Sequence, residues 1–230
     1  AYEIITVTGS FHGRTLAAIA ATGQHKFQKP FVPLPSGFVN VEYNDFEAIK
    51  AATTELTCAV MLEPIQGESG VNIPDSDYFR KVREWCEAND LLLILDEVQT
   101  GVGRTGTLFA YQQLGIEPDI MTLAKGLGGG VPIGAILAKE KASVFKPGEH
   151  GSTFGGNPLA CAVGYAVLKF ILENGVLQNV MEIGAYLMAG LNKLRSSFDF
   201  ITDARGRGLL CALEFARDIS SEVVQACIEQ

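Results

Sequence analysis

Apolar residues in the first part of the chain are concentrated in short runs of strand length, separated by amphipathic stretches. Two of these runs, 58–63 and 91–97, are apolar at almost every position. Such runs indicate strands with both faces covered, as in a parallel sheet, because alternate side chains point to opposite faces. The predicted strands are 3–8, 38–43, 58–63, 91–97, 119–124 and 132–138.

The segments between these strands have the apolar spacing of helices. Residues 13–23 predict one helix, 44–52 a second that is capped by Asn44 or Asp45, and 75–90 an amphipathic crossover helix. Alternating strands and helices are typical of a mostly parallel sheet. We therefore expect an α/β fold with a mostly parallel central sheet and helices on both faces.

The pattern changes after Asn157. A long helix is predicted over 157–175, and a second helix with one apolar face follows it. That face consists of Val180, Ile183, Leu187, Leu191 and Leu194. The run 207–215 is strand-like, and 220–230 predicts a last helix.

These changes predict three parts. Residues 1–156 form a large domain that is incomplete at its N-terminus, and residues 157–195 form connecting long helices. Residues 196–230 form the beginning of a smaller C-terminal α/β domain.

Composition and charge exclude several classes of binding partner and indicate the cellular compartment. The 230 residues have a net charge of -8 and no run of Lys or Arg, so neither nucleic acid nor an anionic membrane is an expected partner. No apolar run approaches the ~18 residues of a membrane span. The five cysteines are scattered and, with three histidines, offer no metal-ligand spacing. We expect reduced thiols in a cytoplasmic protein that binds no metal.

Two residues of opposite charge end two successive predicted strands. Asp96 follows the run LLLIL, and Lys125 follows DIMTLA and precedes four glycines in five positions. Alone, either is as well explained by a strand cap or a solvent-directed amine. Together they match the needs of pyridoxal phosphate. A desolvated lysine bonds to its aldehyde, and an aspartate keeps its ring nitrogen protonated.

Two further motifs have competing explanations. The sequence GVGRTG (101–106) matches a dinucleotide fingerprint, but EVQT separates it from the strand, so a glycine-rich turn is the better interpretation. Glu63 and Glu68 in EPIQGESG are a carboxylate pair of the kind that glycosidases use, or part of a solvated turn.

Two loops contain groups suited to anions. Arg14 in SFHGRT can bind a carboxylate or lie on the surface. The stretch HGSTFGGNP (150–158) is a possible phosphate cradle, or a loop before a helix that is capped by Asn157 with Pro158 in its first turn.

Five stretches together resemble the class III, fold-type I aminotransferases, which depend on pyridoxal 5′-phosphate. They are SFHGRTLAAIAATGQHKFQKPF, AVMLEPIQGESGV, LLILDEVQTGVGRTG, DIMTLAKGLGGGVPIGAILA and HGSTFGGNPLACAV. They cover most of residues 1–165 in the family's order and spacing. The remainder resembles the beginning of the family's C-terminal domain.

The resemblance implies cofactor-binding roles for seven residues. Lys125 matches the lysine that bonds to the cofactor and moves the proton, and Asp96 matches the partner of the ring nitrogen. Gln99 matches the contact to the ring hydroxyl, and Phe11, with His12 beside it, matches the aromatic stacked on the ring. Ser152 and Thr153 match the pair that reaches the phosphate of the neighbouring subunit, which implies a homodimer with shared active sites.

The resemblance also implies the substrate contacts. Arg14 matches the arginine that holds a substrate carboxylate. Glu63 and Glu68 match carboxylates that line the site, of which Glu68 neutralises an arginine of the C-terminal domain.

The substrates implied are an amino acid and a 2-oxo acid. The most similar family members transfer the amino group of N-acetylornithine to 2-oxoglutarate in arginine biosynthesis. Ornithine, succinylornithine and 4-aminobutyrate are alternative donors. Because family members are longer, we expect a fragment of a longer enzyme or a truncated product. An alternative of another class is an inactive fragment that only binds the cofactor or dimerises.

Overall fold

The apolar runs of the sequence form one six-stranded sheet. The computed structural model describes residues 1–229, and its sheet has the strand order β2-β1-β3-β4-β5-β6. The first five strands in this order are parallel to one another, and β6 is antiparallel to β5. The strands are β1 (Glu3–Val7), β2 (Phe38–Val41), β3 (Thr57–Leu62), β4 (Leu92–Asp96), β5 (Ile120–Leu123) and β6 (Ala135–Ala138).

Helices connect these strands and continue beyond them. The helices are α1 (Leu16–Ala21), α2 (His25–Gln28), α3 (Phe46–Ala52), α4 (Tyr78–Ala88), α5 (Pro158–Glu173), α6 (Val176–Ser197) and α7 (Ser220–Ile228). Short 3-10 turns occupy Lys29–Phe31, Ala110–Gln113, Lys125–Gly128 and Glu140–Ala142. Between α6 and α7, β7 (Ile201–Arg207) and β8 (Leu210–Phe215) form an antiparallel hairpin.

The main core lies on one face of the sheet. Every second residue of three central strands is fully buried there, and α3 and α4 pack against them through side chains such as Ile49 and Phe79. The strand residues are Ile5, Val7, Val60, Leu62, Leu93 and Leu95. Thr6 points to the opposite face, where Asn40 donates a hydrogen bond to it and another to Ala21 of α1. Helices therefore lie on both faces, as predicted.

A buried ion cluster fixes the amino-terminal edge of this sheet. Asp119 is 3% exposed, lies before β5, and accepts from the backbone N–H of Leu93 at 2.9 Å. Arg83 of α4 and Lys141 each approach its carboxylate to 2.8 Å. Burial raises the pKa of Asp119, but the N–H donor and the two cations together outweigh it, and the pKa is lowered. The cluster ties α4 to the edge opposite the predicted site.

Several predicted boundaries are corrected by local backbone chemistry. The helix predicted over 13–23 begins only at Leu16, because Gly13 has a φ of 126° and the backbone of Thr15 is extended, with a ψ of 159°. The strand predicted over 132–138 begins at Ala135, after a proline and a glycine. The helix predicted over 44–52 is capped by Asp45, whose side chain accepts from the N–H of Ala48.

The C-terminal part was only partly predicted. The strand over 207–215 is in fact the second half of a hairpin. Strand β7 was missed because Asp203, Arg205 and Gly206 interrupt its apolar pattern. On α6, Val180 is buried, but Ile183, Leu187 and Leu194 of the predicted apolar face are between 39% and 47% exposed. The predicted three-part division stays a prediction.

Residue 230 of the last predicted helix lies outside the described residues. Within residues 1–229, no single helix is long and apolar enough to cross a membrane. Helices α5 and α6 together have the length and apolar composition of a membrane span, but they are bent by 69° where they meet.

We predict opposite effects for the same substitution at two positions of α6. A Cβ at Gly184 would lie 2.5 Å from the carbonyl oxygen of Gly208, so Gly184→Ala must push the helix away from the hairpin. Gly190 has no atom within 4 Å of that position, so Gly190→Ala serves as the matched control. Urea unfolding should show a loss of about 1–3 kcal/mol for Gly184→Ala and a gain of about 0.5–1 kcal/mol for Gly190→Ala. Equal effects would contradict the close approach.

Candidate active site

The carboxyl ends of four neighbouring parallel strands meet at one edge of the sheet. Glu63 follows β3, Asp96 ends β4, and Lys125 follows β5 after one intervening residue. The strand β1 leads into the loop with Phe11 and His12. Such an edge is where ligands bind in open α/β sheets.

Asp96 is the most extensively bonded of the predicted site residues. It is 6% exposed, and its Oδ2 lies 2.8 Å from Nδ1 of His12. Its Oδ1 accepts from the hydroxyl of Thr122 at 3.2 Å and from the backbone N–H of Val98 at 3.1 Å. Strand register places Thr122 directly beside Asp96. Partners from three elements therefore hold this carboxylate in one orientation.

His12 is held from two sides and leaves one nitrogen without a partner. Its backbone N–H donates to the hydroxyl of Thr22 at 2.9 Å, while Nδ1 contacts Asp96. Its Nε2 is buried and has no hydrogen-bond partner within residues 1–229. A buried polar atom in this state costs free energy unless a further group contacts it.

Lys125 differs from the prediction in its exposure. We expected a desolvated amine, but the side chain is exposed to solvent. The glycines that follow it have no side chains to cover it, which is the physical reason. Its backbone has a φ of 45°, unusual for a residue with a side chain. Its amine makes no ion pair or hydrogen bond among the described residues.

A cavity of about 440 Å³ opens beside Lys125. Its walls include Gln99, Arg104, Asn179 at the beginning of α6, and Leu209 at the hairpin turn. The Gln99 side chain also fits against Gly67, where a Cβ would lie 2.5 Å from its Oε1. Lys125 and Gln99 thus face the same space, which the sheet edge and the C-terminal elements enclose together.

Glu63 is a buried carboxyl group on the same edge. It is 3% exposed, and its Oε1 accepts from the N–H of Phe11 at 2.8 Å while Oε2 accepts from that of Gly67 at 3.4 Å. Burial raises the pKa of Glu63 to about 7, against the opposing influence of His12 and the two N–H donors. The side chain can therefore exchange a proton near neutral pH.

Glu68 is exposed and has different partners from Glu63. Its carboxylate accepts from Gln24 at 2.6 Å and lies 3.4 Å from the amine of Lys26. Among the described contacts the cationic partner of Glu68 is Lys26, and the pairing with an arginine of the C-terminal domain stays a prediction. The two glutamates are held by separate groups, which gives no support to a glycosidase pair.

Arg14 lies on an aromatic surface. Its guanidinium carbon is 4.5 Å from the ring centroid of Phe27 and 5.5 Å from that of Phe11. The two rings meet edge to face, with centroids 5.4 Å apart. These cation–π contacts fix the guanidinium beside the predicted stacking residue while leaving it exposed.

Ser152 and Thr153 make no hydrogen bond to the residues of this edge within residues 1–229. Both are exposed in the loop before α5, and the Ser152 hydroxyl accepts from the N–H of Gly155 at 3.0 Å. Asn157 caps α5 through the N–H of Ala160, as predicted.

The glycines of 101–106 pack against helices, which confirms the turn. A Cβ at Gly103 would lie 3.1 Å from Leu177, and one at Gly106 would lie 2.9 Å from Met181. The motif opens no helix, so it lacks the geometry of a dinucleotide site.

Glu97 is a structural carboxyl group that sequence reasoning missed. It is 1% exposed and accepts from the N–H groups of Ala110 at 3.0 Å and Tyr111 at 2.8 Å, and from the hydroxyl of Thr100. Burial raises its pKa. It closes the loop that contains Gln99. The sequence signal that could have identified Glu97 is its position at the end of a buried strand. The same signal identified Asp96.

Comparison with known proteins identifies the family. The family described as aminotransferase class-III matches residues 2–230, and the chain belongs to it. Members of this family use pyridoxal phosphate, the cofactor predicted above.

The chain is similar to acetylornithine aminotransferases along its whole length. It is 54% identical to that of Gloeobacter violaceus over 99% of this chain and 57% of the relative. It is 53% identical to that of Caldanaerobacter subterraneus over 100% of this chain and 58% of the relative. The chain thus spans a little over half the length of these relatives.

Solved structures show the same fold. The ornithine aminotransferase of Toxoplasma gondii superimposes with a TM-score of 0.94 at 37% identity, over 99% of this chain and 55% of that one. A second structure of the same enzyme, with a TM-score of 0.94 at 37% identity over 100% of this chain and 55% of that one, has partial occupancy of pyridoxal phosphate at its active site.

We predict that stability falls with rising pH through the titration of Glu63. Its pKa is raised from 4.5 to about 7 on folding, so the stabilisation is complete below pH 4.5 and declines as pH rises to about 7. Glu63→Gln cannot titrate. The parent should therefore lose up to about 3 kcal/mol of unfolding free energy relative to the variant as pH rises over this window.

Urea unfolding of both proteins at several pH values from 4.5 to 8 measures this difference. Taking the difference cancels the titration of groups that the substitution does not affect. A difference that is constant with pH would show that Glu63 titrates in its ordinary range.

Proposed function

We propose that this chain forms the catalytic core of a pyridoxal phosphate-dependent aminotransferase that transfers the amino group of N-acetylornithine to 2-oxoglutarate. The observation that supports it most is the juxtaposition of Asp96 and Lys125, a bonded buried carboxylate and an uncommitted amine at the ends of adjacent parallel strands. The donor assignment rests on relatives at 54% and 53% identity that are acetylornithine aminotransferases.

The residues present fit the cofactor. Thr122 and His12 bond to the Asp96 carboxylate and fix its orientation. The carboxylate can still accept a hydrogen bond from a further protonated nitrogen. Lys125 has no competing partner among residues 1–229 and shares a cavity with Gln99. Phe11 offers a flat aromatic surface on the same edge.

Pyridoxal phosphate, when bound, supplies an aldehyde for bonding to amines and a protonated ring that withdraws electrons. The chain supplies the groups that move or stabilise protons. Lys125 would take a proton at Nζ from the substrate carbon as general base and would then release it at a different carbon as general acid. The Asp96 carboxylate would pair with the protonated ring nitrogen, and a full charge pair at ~4 Å is worth roughly 4 kcal/mol at an effective dielectric of ~20.

The remaining predicted residues are assigned to substrate and assembly. Arg14 binds a substrate carboxylate, since its guanidinium is exposed and fixed by two aromatic rings. Glu63 and Glu68 line the donor site.

Ser152 and Thr153 would reach the cofactor phosphate of a neighbouring subunit in a homodimer, since both are exposed in the loop before α5. A cytoplasmic location suits the five free cysteines.

Ornithine is the second candidate donor. The solved ornithine aminotransferase of Toxoplasma gondii has almost the same backbone, at a TM-score of 0.94. Its identity of 37% is lower than the 54% of the acetylornithine enzyme from Gloeobacter violaceus, which supports acetylornithine as the first candidate.

We predict that Lys125→Ala abolishes transamination and leaves the fold intact, because Lys125 is exposed and its amine makes no hydrogen bond or ion pair among residues 1–229. Lys139→Ala is the matched control, since Lys139 is an exposed lysine paired with Glu117. Borohydride reduction of the protein mixed with pyridoxal phosphate, followed by peptide mapping, should fix the cofactor on Lys125. Turnover by Lys125→Ala would refute the assignment. Absence of any fixed cofactor in the parent would favour the inactive-fragment alternative.

We predict that kcat/KM for N-acetylornithine exceeds that for ornithine by about tenfold or more. The free α-amine of ornithine adds a charge that a site built for an α-amide must desolvate without a partner. Initial rates with 2-oxoglutarate and either donor decide between them. A preference for ornithine would transfer the assignment to the second candidate.

A further inference from the structure

The β7–β8 hairpin contacts both loops that leave the strands of Glu63 and Asp96. At one contact, the N–H of Leu209 donates to the carbonyl of Arg104 at 3.0 Å. At the other, Arg205 of β7 reaches the loop after β3 across 135 positions of sequence.

Arg205 uses its whole guanidinium group at this contact. Its Nε donates to the carbonyl of Gly70 at 3.0 Å and to that of Val71 at 3.2 Å, and Nη2 donates to Gly70 at 2.7 Å. Its Nη1 donates to Asp203 at 3.0 Å and also to Glu214. The planar fork thus joins two backbone carbonyls of the loop to two carboxylates of the hairpin, which a lysine cannot reproduce.

Arg205 holds the Gly70–Val71 end of this loop, while other residues hold its base. The Gln66 amide donates to the carbonyl of Thr8 at 2.7 Å, and the Tyr43 hydroxyl donates to that of Asn72 at 2.9 Å. Gln66 and Asn72 pair through two backbone hydrogen bonds of 3.1 and 3.0 Å and close the loop at its base. Val71 has a φ of 56°, a conformation that is strongly disfavoured for a β-branched residue. Its carbonyl is one of the two that Arg205 binds, so the guanidinium stabilises the strained end of the loop.

The loop position determines the surroundings of both predicted glutamates. The N–H of Gly67 donates to Glu63 at 3.4 Å, and Glu68 lies on the loop itself. We propose that Arg205 is a positioning residue, which ties the hairpin to the loop 66–72 and thereby sets the positions of the Glu63 and Glu68 carboxylates at the donor site. The inference rests on the proposed function only for its kinetic consequence.

The experiment compares Arg205→Met with Arg195→Met in the whole protein. Arg195 is the matched control, because it also lies beside Asp203, at 3.8 Å, but makes no bond to the loop. Amide hydrogen exchange of residues 66–72, without cofactor or substrate, should be about tenfold faster or more in Arg205→Met and unchanged in the control. Arg205→Lys should show a smaller increase, and it decides the question if Arg205→Met does not fold.

Kinetics provide the second measurement. KM for the amino donor should rise by about tenfold in Arg205→Met while kcat changes by less than about twofold, because the loop binds substrate and Lys125 and Asp96 are untouched. Unchanged exchange in the Arg205 variants, or equal effects in the control, would overturn the inference. If the parent shows no transamination, the proposed function fails, and hydrogen exchange alone still decides the role of Arg205.

Discussion

The orientation of one buried carboxylate, that of Asp96, connects the sheet to the chemistry. A carboxylate at the end of a core strand must find donors, and Asp96 finds them on β5, on the next turn of its own loop, and on the loop after β1. Thr122 is available only because parallel register places β5 beside β4. The same register brings Lys125 to the same edge, so the pairing that builds the core also assembles the two groups on which the proposed chemistry depends.

Buried acids in this protein are stabilised in different ways according to their role. Asp119 has two cations and an N–H donor, and its pKa is lowered at the edge remote from the site. Glu63 and Glu97 have only neutral hydrogen-bond donors within contact distance, and burial raises the pKa of both. Asp119 is therefore a fixed negative charge at the position where α4 is anchored. Glu63 is an acid with an exchangeable proton at the position where substrate is proposed to bind.

The C-terminal elements determine the shape of the site although they lie far away in sequence. Gly184 of α6 approaches Gly208 of the hairpin turn, and Gly208 approaches Thr105 of the loop 101–106, each closely enough to exclude a side chain. Arg205 reaches the other loop. The glycines of 101–106, which resemble a nucleotide motif by spacing alone, are explained by this packing. The cavity beside Lys125 has walls from both parts of the chain.

The sequence by itself determined the α/β class, the parallel core and the edge at which Asp96 and Lys125 meet, because apolar periodicity is a local property. Its motifs indicated the family. The sequence did not predict β7, whose pairing with β8 outweighs its polar composition. Nor did it predict the exposure of Lys125, the sharing of Asp96 between His12 and Thr122, or the loop contact of Arg205. Only the tertiary structure decided these, because burial and hydrogen-bond partners depend on residues that lie up to 135 positions apart.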